Sequence, residues 1–262
     1  MPPTVNSSFV TSRLRLGLGT FIAIDAEADS AAASEQGLRA GFAAVAFAEN
    51  LLHPTRPGSD LAALNQSPPG VQGVHEWTWM LLDLCKRLNR LSQGVFDPCV
   101  PGSSATLADL ELLPREAGTR PSVVLHARLT MDLGGIGKGF AVDRAVDAIR
   151  AAGCHAGLVN AGGDLAVFGD RGHAMLYRDR RGAMASITLR NAAMAASDVD
   201  NAARPAEHRG YYSGIDANCV VAGRVAITAP SAAAADGLTK CLLVDGAANS
   251  SLLEALGARQ IV

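Results

Sequence analysis

The stretch Asp132-Leu133-Gly134-Gly135-Ile136-Gly137-Lys138-Gly139 is the most informative in the chain. It follows an alternating segment, residues 122–133, that reads as a strand or hairpin. It precedes a run from Gly139 to Ala152 in which Val142, Ala145, Val146 and Ile149 recur at helical spacing. The glycines remove side chains where a ligand would meet backbone N–H groups. A helix N-terminus behind them adds partial positive charge, and Lys138 adds a full one. This is the physics of a phosphate or pyrophosphate cradle. It is not a P-loop, which would need Ser or Thr at position 139 where Gly139 stands, and the G-x-G-x-x-G register does not match. The same residues also suit a tight strand-to-helix turn with a surface lysine, and the glycines alone do not choose between the two.

On the far side of that helix comes Asn160-Ala161-Gly162-Gly163-Asp164, between apolar strand candidates at 156–160 and 164–168. Asn, Gly and Asp are turn residues, so a hairpin turn explains the glycines. It leaves open why two Gly-Gly turns flank one helix. Further strands are expected at 173–178, 185–190 and 224–229. Ser231 then caps a helix reaching about Val244, and a short one follows near 251–256. In the longer helix Asp236, Thr239 and Lys240 share a face, which by itself means an internal Asp–Lys pair worth a few tenths of a kcal/mol.

Towards the N-terminus, residues 12–26 read as a strand or hairpin arm. Asp29 or Ser30 caps a helix over 31–52, which Pro54 and the Pro57–Gly58 pair end. Residues 66–72 are turn-rich. A second helix is expected over about 74–92, with Trp77, Met80, Leu81, Leu84 and Leu88 on one face and Gly94 as its stop; the proline-bearing segment 97–121 reads as loop. Helices and strands interleave, but the later strands come as a run joined by tight turns. That favours an α+β fold with a largely antiparallel sheet core and flanking helices over a doubly wound parallel sheet.

Composition narrows the function classes. With 48% hydrophobic and 18% charged residues over 262 positions, the chain is not mainly disordered and is long enough to bury a core without staples. Aromatics are only 5%, and 23 Lys+Arg stand against 25 Asp+Glu with no basic run, so no nucleic-acid partner is expected. The five cysteines are scattered singly, which speaks for free thiols in a reducing compartment and against a zinc site. No apolar run reaches a membrane span, and Met1–Val10 lacks the features of a signal peptide. The expected location is therefore cytoplasmic, with no membrane partner.

The quoted motifs, taken in order, resemble those of the FAD:protein FMN transferase (ApbE) family. Leu18-Gly19-Thr20 is similar to its early strand motif, Ser59-Asp-Leu-Ala-Ala-Leu-Asn65 to the segment after its first helix, and Gly94-Val-Phe-Asp-Pro98 to its G-x-F-D-P element. Asp132–Gly139 with Phe140-Ala-Val-Asp143 resembles its signature, Asn160–Asp164 its N-A-G-G-D, and Ala229–Leu242 its closing A-P-x-x-x-x-A-D-x-L segment. The resemblance implies a single domain over residues 1–262. It implies FAD and a divalent metal, usually magnesium, with FMN moved onto a Thr or Ser hydroxyl of a target flavoprotein and AMP released. Carried over by position, Lys138 neutralises the pyrophosphate as a catalytic residue. Gly134, Gly135, Gly137, Lys138 and the run Asn160, Ala161, Gly162, Gly163 and Asp164 bind the flavin nucleotide. Asp236 and the Gly135 carbonyl are implied metal ligands.

Two departures bear on activity. The family usually places Thr four residues after the Asp of the last helix; here that position is Lys240. Either its ammonium takes the metal's place beside Asp236, or Thr239 serves as the ligand instead; hard magnesium wants oxygen, not an ammonium. The family's H-x-x-D-P-x-T-G element has its nearest counterpart in Ser213-Gly-Ile-Asp-Ala-Asn-Cys-Val220. That leaves Asp216 as the second catalytic candidate, with His208 nearby. Flavin-nucleotide binding with little or no transfer is therefore the alternative expectation.

Overall fold

The computed structural model describes residues 8–100, 104–179, 182–199, 223–245 and 250–261. The chain opens with a hairpin of two long strands, β1 (Phe9–Gly17) and β2 (Thr20–Ala28), turned by Leu18 and Gly19, both at positive φ. Helix α1 (Ala31–Leu51) follows, with the Ser30 side chain accepting from the Ala33 N–H at 3.2 Å. Next come α2 (Asp60–Gln66), β3 (Gly70–Gly73), α3 (Glu76–Leu91), β4 (Leu110–Leu112), β5 (Ser122–Leu125) and α4 (Gly137–Ala151). The C-terminal part supplies β6 (Ala156–Ala161), β7 (Asp164–Phe168), β8 (His173–Arg178), β9 (Met184–Leu189), β10 (Ala192–Asp198), β11 (Arg224–Ala229), α5 (Ala232–Asp245), α6 (Ser250–Ala255) and β12 (Arg259–Gln260).

Among the described residues, seven strands form the main sheet in the order β1-β2-β6-β7-β10-β11-β12, and every neighbouring pair is antiparallel. The fold is α+β, as expected. Helices α1 and α4 lie together on one face of this sheet, burying Leu38, Phe42 and Val45 against Val142, Ala145 and Ile149. Their close approach depends on small residues: a Cβ at Gly37 would stand 2.3 Å from Cys154 Sγ, and one at Gly41 would stand 2.9 Å from Ile149. The β8–β9 hairpin lies against the other face, over Leu165, Val167 and Met194. A second hydrophobic cluster joins α3 and α5 to the small sheet β3-β5-β4 through Leu81, Leu88, Leu125 and Leu238.

The structure departs from the sequence reading in places. The turn-rich stretch 66–72 gives way to β3, an edge strand that begins straight after Pro68 and Pro69. Helix α2 and strand β10 were not expected. The run Ala192–Asp198 is mostly alanine, a weak strand former, and only burial between β7 and β11 makes it a strand. At the end of α3, Gln93 takes the left-handed position at φ 55° one residue before Gly94 does the same at 89°. Asp216, His208 and the whole 213–220 element lie outside the described residues. Cys85, Cys99 and Cys154 are free thiols.

Candidate functional site

The two halves of the site sit at the starts of α4 and α5. Asn65 fixes the loop that enters α4. Its side-chain amide donates to the Met131 carbonyl at 2.9 Å and accepts from the Met131 N–H at 2.8 Å, one residue before Asp132. Asp132 Oδ1 then accepts from the Gly134 N–H at 2.7 Å. The N–H of Gly137 donates to the Leu133 carbonyl at 2.7 Å, and that of Gly139 to Asp236 Oδ2 at 3.1 Å. Three of the expected cradle's N–H groups thus have partners within the chain.

None of the four glycines of this loop has positive φ, and two of them, Gly135 and Gly139, serve close approach. A Cβ on Gly139 would stand 2.3 Å from the Ala232 carbonyl oxygen, and one on Gly135 would stand 3.3 Å from Lys240 Cγ. At Gly137 the nearest atom would be Leu133 Cβ at 4.0 Å, so that position faces open space. The second Gly-Gly pair is different. Gly162 and Gly163 are the two central residues of the β6–β7 hairpin, at φ 66° and 106°, and the Asn160 side chain accepts from the Gly163 N–H at 3.0 Å. Turn geometry alone requires both glycines.

The charged groups converge between these turns. Lys138 Nζ lies 3.0 Å from Asp164 Oδ2 and 3.9 Å from Asp236 Oδ2. Asp164 and Asp236 are buried, whereas the Lys138 side chain keeps 31% of its exposure. Burial, and then the neighbouring Asp236 carboxylate, push the Asp164 carboxyl up to about 6 against the opposing pull of Lys138 and Lys240. Lys138 also borders a cleft of about 260 Å³, walled by the Leu18–Gly19 turn, by Glu49 and His53 of the α1 end, and by Gly134 and Gly137.

The other half is held by Asp143. Its two carboxylate oxygens accept from the Ala232 and Ala233 N–H groups, at 2.7 and 2.9 Å, so a side chain of α4 caps the start of α5. Burial pushes this carboxyl up to about 6 despite those two bonds. Two turns further along α5, Lys240 folds inward. Its Nζ lies 2.5 Å from Asp236 Oδ1, 2.9 Å from Ser197 Oγ and 3.0 Å from Thr239 Oγ1. Asp164, Asp236, Thr239 and Lys240 therefore form one buried group, with Lys138 at its exposed edge and Gly135 against the Lys240 stem. Sequence reasoning missed Asn65 and Asp143 as positioning residues and Ser197 altogether. The first two stand inside quoted motifs; Ser197 lies on the unexpected strand β10.

This group does not fit magnesium. Asp236 Oδ1 and the Ser197 and Thr239 hydroxyl oxygens face an ammonium, and a divalent ion would have to share them with a cation. Among the described residues, no cluster of three or more His, Cys, Asp or Glu side chains is placed to hold a metal ion. No described helix is long and apolar enough to cross a membrane.

The chain resembles several solved structures. Pseudomonas stutzeri flavinyl transferase ApbE in its apo form superposes with a TM-score of 0.79 at 18% identity, covering 97% of this chain and 90% of that one. The ApbE protein of Thermotoga maritima gives 0.77 at 20% identity over 96% and 93%, and the flavin transferase ApbE of Vibrio cholerae gives 0.75 at 17% over 97% and 93%. No curated protein matches the sequence. The sequence profile of the ApbE family spans residues 18–260, from the β1–β2 turn to the last strand, and with every described half of the site inside that span the chain belongs to the ApbE family.

Proposed function

We propose that this chain, acting as a single domain over residues 1–262, binds FAD and transfers its FMN moiety to a Thr or Ser hydroxyl of a target protein. The observation that carries the reading is Lys138, a partly exposed ammonium held by the buried Asp164 at the edge of a cleft, on a loop that belongs to the family's signature. In the transfer, the acceptor oxygen forms a bond to the FMN phosphorus and the bond from that phosphorus to the bridging pyrophosphate oxygen breaks. AMP leaves with the bridging oxygen, and the proton of the acceptor hydroxyl passes to solvent. Little covalent chemistry falls to the protein, so positioning and charge neutralisation dominate. Lys138 neutralises the pyrophosphate. Gly134 and Gly137 leave room for it along the cleft, Gly135 makes room for the Lys240 stem behind it, and the Asn160–Asp164 turn lines the flavin side. Asp216 is the remaining catalytic candidate. A cytoplasmic site of action suits the free thiols.

One observation favours a second reading, in which the chain binds FAD or a related nucleotide with little or no transfer: Lys240 holds the oxygens that magnesium would need. Incubation with FAD, magnesium and a family-type acceptor peptide tests both. An FMN mass on the peptide with matching AMP release supports transfer. FAD binding without either product supports the second reading, and no FAD binding refutes both.

A further inference from the structure

The chain carries its own cation where a divalent ion would be expected. The Lys240 side chain is only 9% exposed and Asp236 and Thr239 are fully buried, so the ammonium is enclosed rather than reaching for solvent. An ammonium has three protons to donate, and three oxygens stand within 2.5 to 3.0 Å of it: Asp236 Oδ1, Ser197 Oγ and Thr239 Oγ1. The hydroxyls around it point one way. Thr239 donates to the Asp236 backbone carbonyl at 2.7 Å, so its oxygen accepts both from Lys240 and from the Ser197 hydroxyl at 2.8 Å. Ser197 in turn accepts from Lys240. The Asp236, Ser197 and Thr239 oxygens that would bind a metal thus each already accept a proton from Lys240. Gly135 completes the enclosure, since its missing side chain makes room for the Lys240 stem.

We propose that Lys240 replaces the divalent metal in this chain, so that FAD binds with its pyrophosphate next to a permanent, protein-borne charge and needs no metal ion. The inference deepens the flavin-nucleotide reading above and rests on it for the identity of the ligand. Lys240 compensates the buried Asp236 carboxylate, which would otherwise repel a pyrophosphate. Lys138 is thereby left to face the ligand. An ammonium neutralises charge but supplies no open coordination position, so phosphate oxygens meet hydrogen-bond donors here and not a Lewis acid.

The test compares wild type with Lys240→Thr in two measurements. FAD titrations followed by flavin fluorescence are run in EDTA and in magnesium, and manganese titrations of the flavin-free protein are followed by electron paramagnetic resonance. For the wild type we expect FAD affinities within about threefold of each other in the two buffers and no bound manganese. For Lys240→Thr we expect bound manganese and an affinity in EDTA reduced by about tenfold or more, the scale of a lost charge-assisted interaction, with magnesium restoring it. Wild-type binding that collapses in EDTA, or manganese bound by the wild type, overturns the proposal. If the wild type fails to bind FAD in either buffer, the flavin reading falls, while the manganese arm still decides whether Lys240 excludes a metal. Because the wild-type arms need no variant, a Lys240→Thr protein that does not fold leaves the decision intact.

Discussion

Substituting Gly139 by alanine tests whether α4 and α5 meet backbone to backbone at the site. The new Cβ would stand 2.3 Å from the Ala232 carbonyl oxygen, 2.6 Å from its carbon and 2.8 Å from the Ala233 nitrogen. To reach ordinary contact the start of α5 must retreat by about 1 Å. Both of its first N–H groups are held by Asp143, so the retreat strains that cap. It also pulls Asp236 away from the Gly139 N–H. Overpacking costs about 1–3 kcal/mol and weakening a bond to a charged group about 1.5–3, against a gain of up to about 1 from replacing glycine in a helix. The net expectation is a loss of about 2–4 kcal/mol, read by urea denaturation. Gly137→Ala is the matched control. Its Cβ meets nothing closer than 4.0 Å, so stability should hold or rise by up to about 1 kcal/mol, while FAD affinity falls because the methyl projects into ligand space. A Gly139→Ala protein within about 0.5 kcal/mol of wild type would refute the close-packing argument.

Four further outcomes follow from the same geometry. Lys138→Ala should weaken FAD binding by about 1–3 kcal/mol in calorimetry, and unchanged affinity would remove Lys138 from the ligand. Asn65→Ala should destabilise the fold by about 1–3 kcal/mol, since the Met131 N–H and carbonyl lose their partner together. Asp143 has a folded pKa of about 6, above the ordinary carboxylate value near 3.9, so the folded state keeps a proton that the unfolded chain has lost. Its contribution is thus fully present below about pH 4 and is lost as pH rises through 6, and the stability of wild type relative to Asp143→Asn should fall by about 1–3 kcal/mol between those limits in pH-dependent melts. FMN transfer to a family-type acceptor should be measurable but slow in the wild type, because the 213–220 element is altered, and rapid, complete mass addition would show that the altered element supports full catalysis.

Much of the fold is legible in the sequence where one local rule suffices. The Ser30 and Ser231 caps and the positions of β6, β7, β8 and β11 follow from capping chemistry and from short apolar runs between turn residues. The candidate site is legible as a set of motifs but not as an assembly. Asp143 reads as one more polar residue in a helix; only the packing of α5 against α4 turns it into a cap for the neighbouring element. Ser197 stands in an alanine-rich run with no strand signal of its own, and what brings it to Lys240 is its neighbours in the sheet. The inward fold of Lys240 likewise depends on those distant oxygens, since its own helix offers only Asp236 and Thr239.

The order of strands in the main sheet also bears on synthesis. Strand β2 pairs on one side with β1, its immediate neighbour in sequence, and on the other with β6, from Ile22 opposite Ala161 to Glu27 opposite Ala156. Everything from α1 to α4 is translated between those two partners. At about 5–20 residues per second the ribosome takes on the order of ten seconds to deliver β6. During that interval the β1–β2 hairpin has left the exit tunnel with an unpaired edge on β2 and with Ile22 and Ile24 lacking the core they later join. A nascent chain in that state is a substrate for holding chaperones and a template for edge-to-edge association. Yield of the protein should therefore track chaperone supply and translation speed more closely than the equilibrium stability of the finished fold.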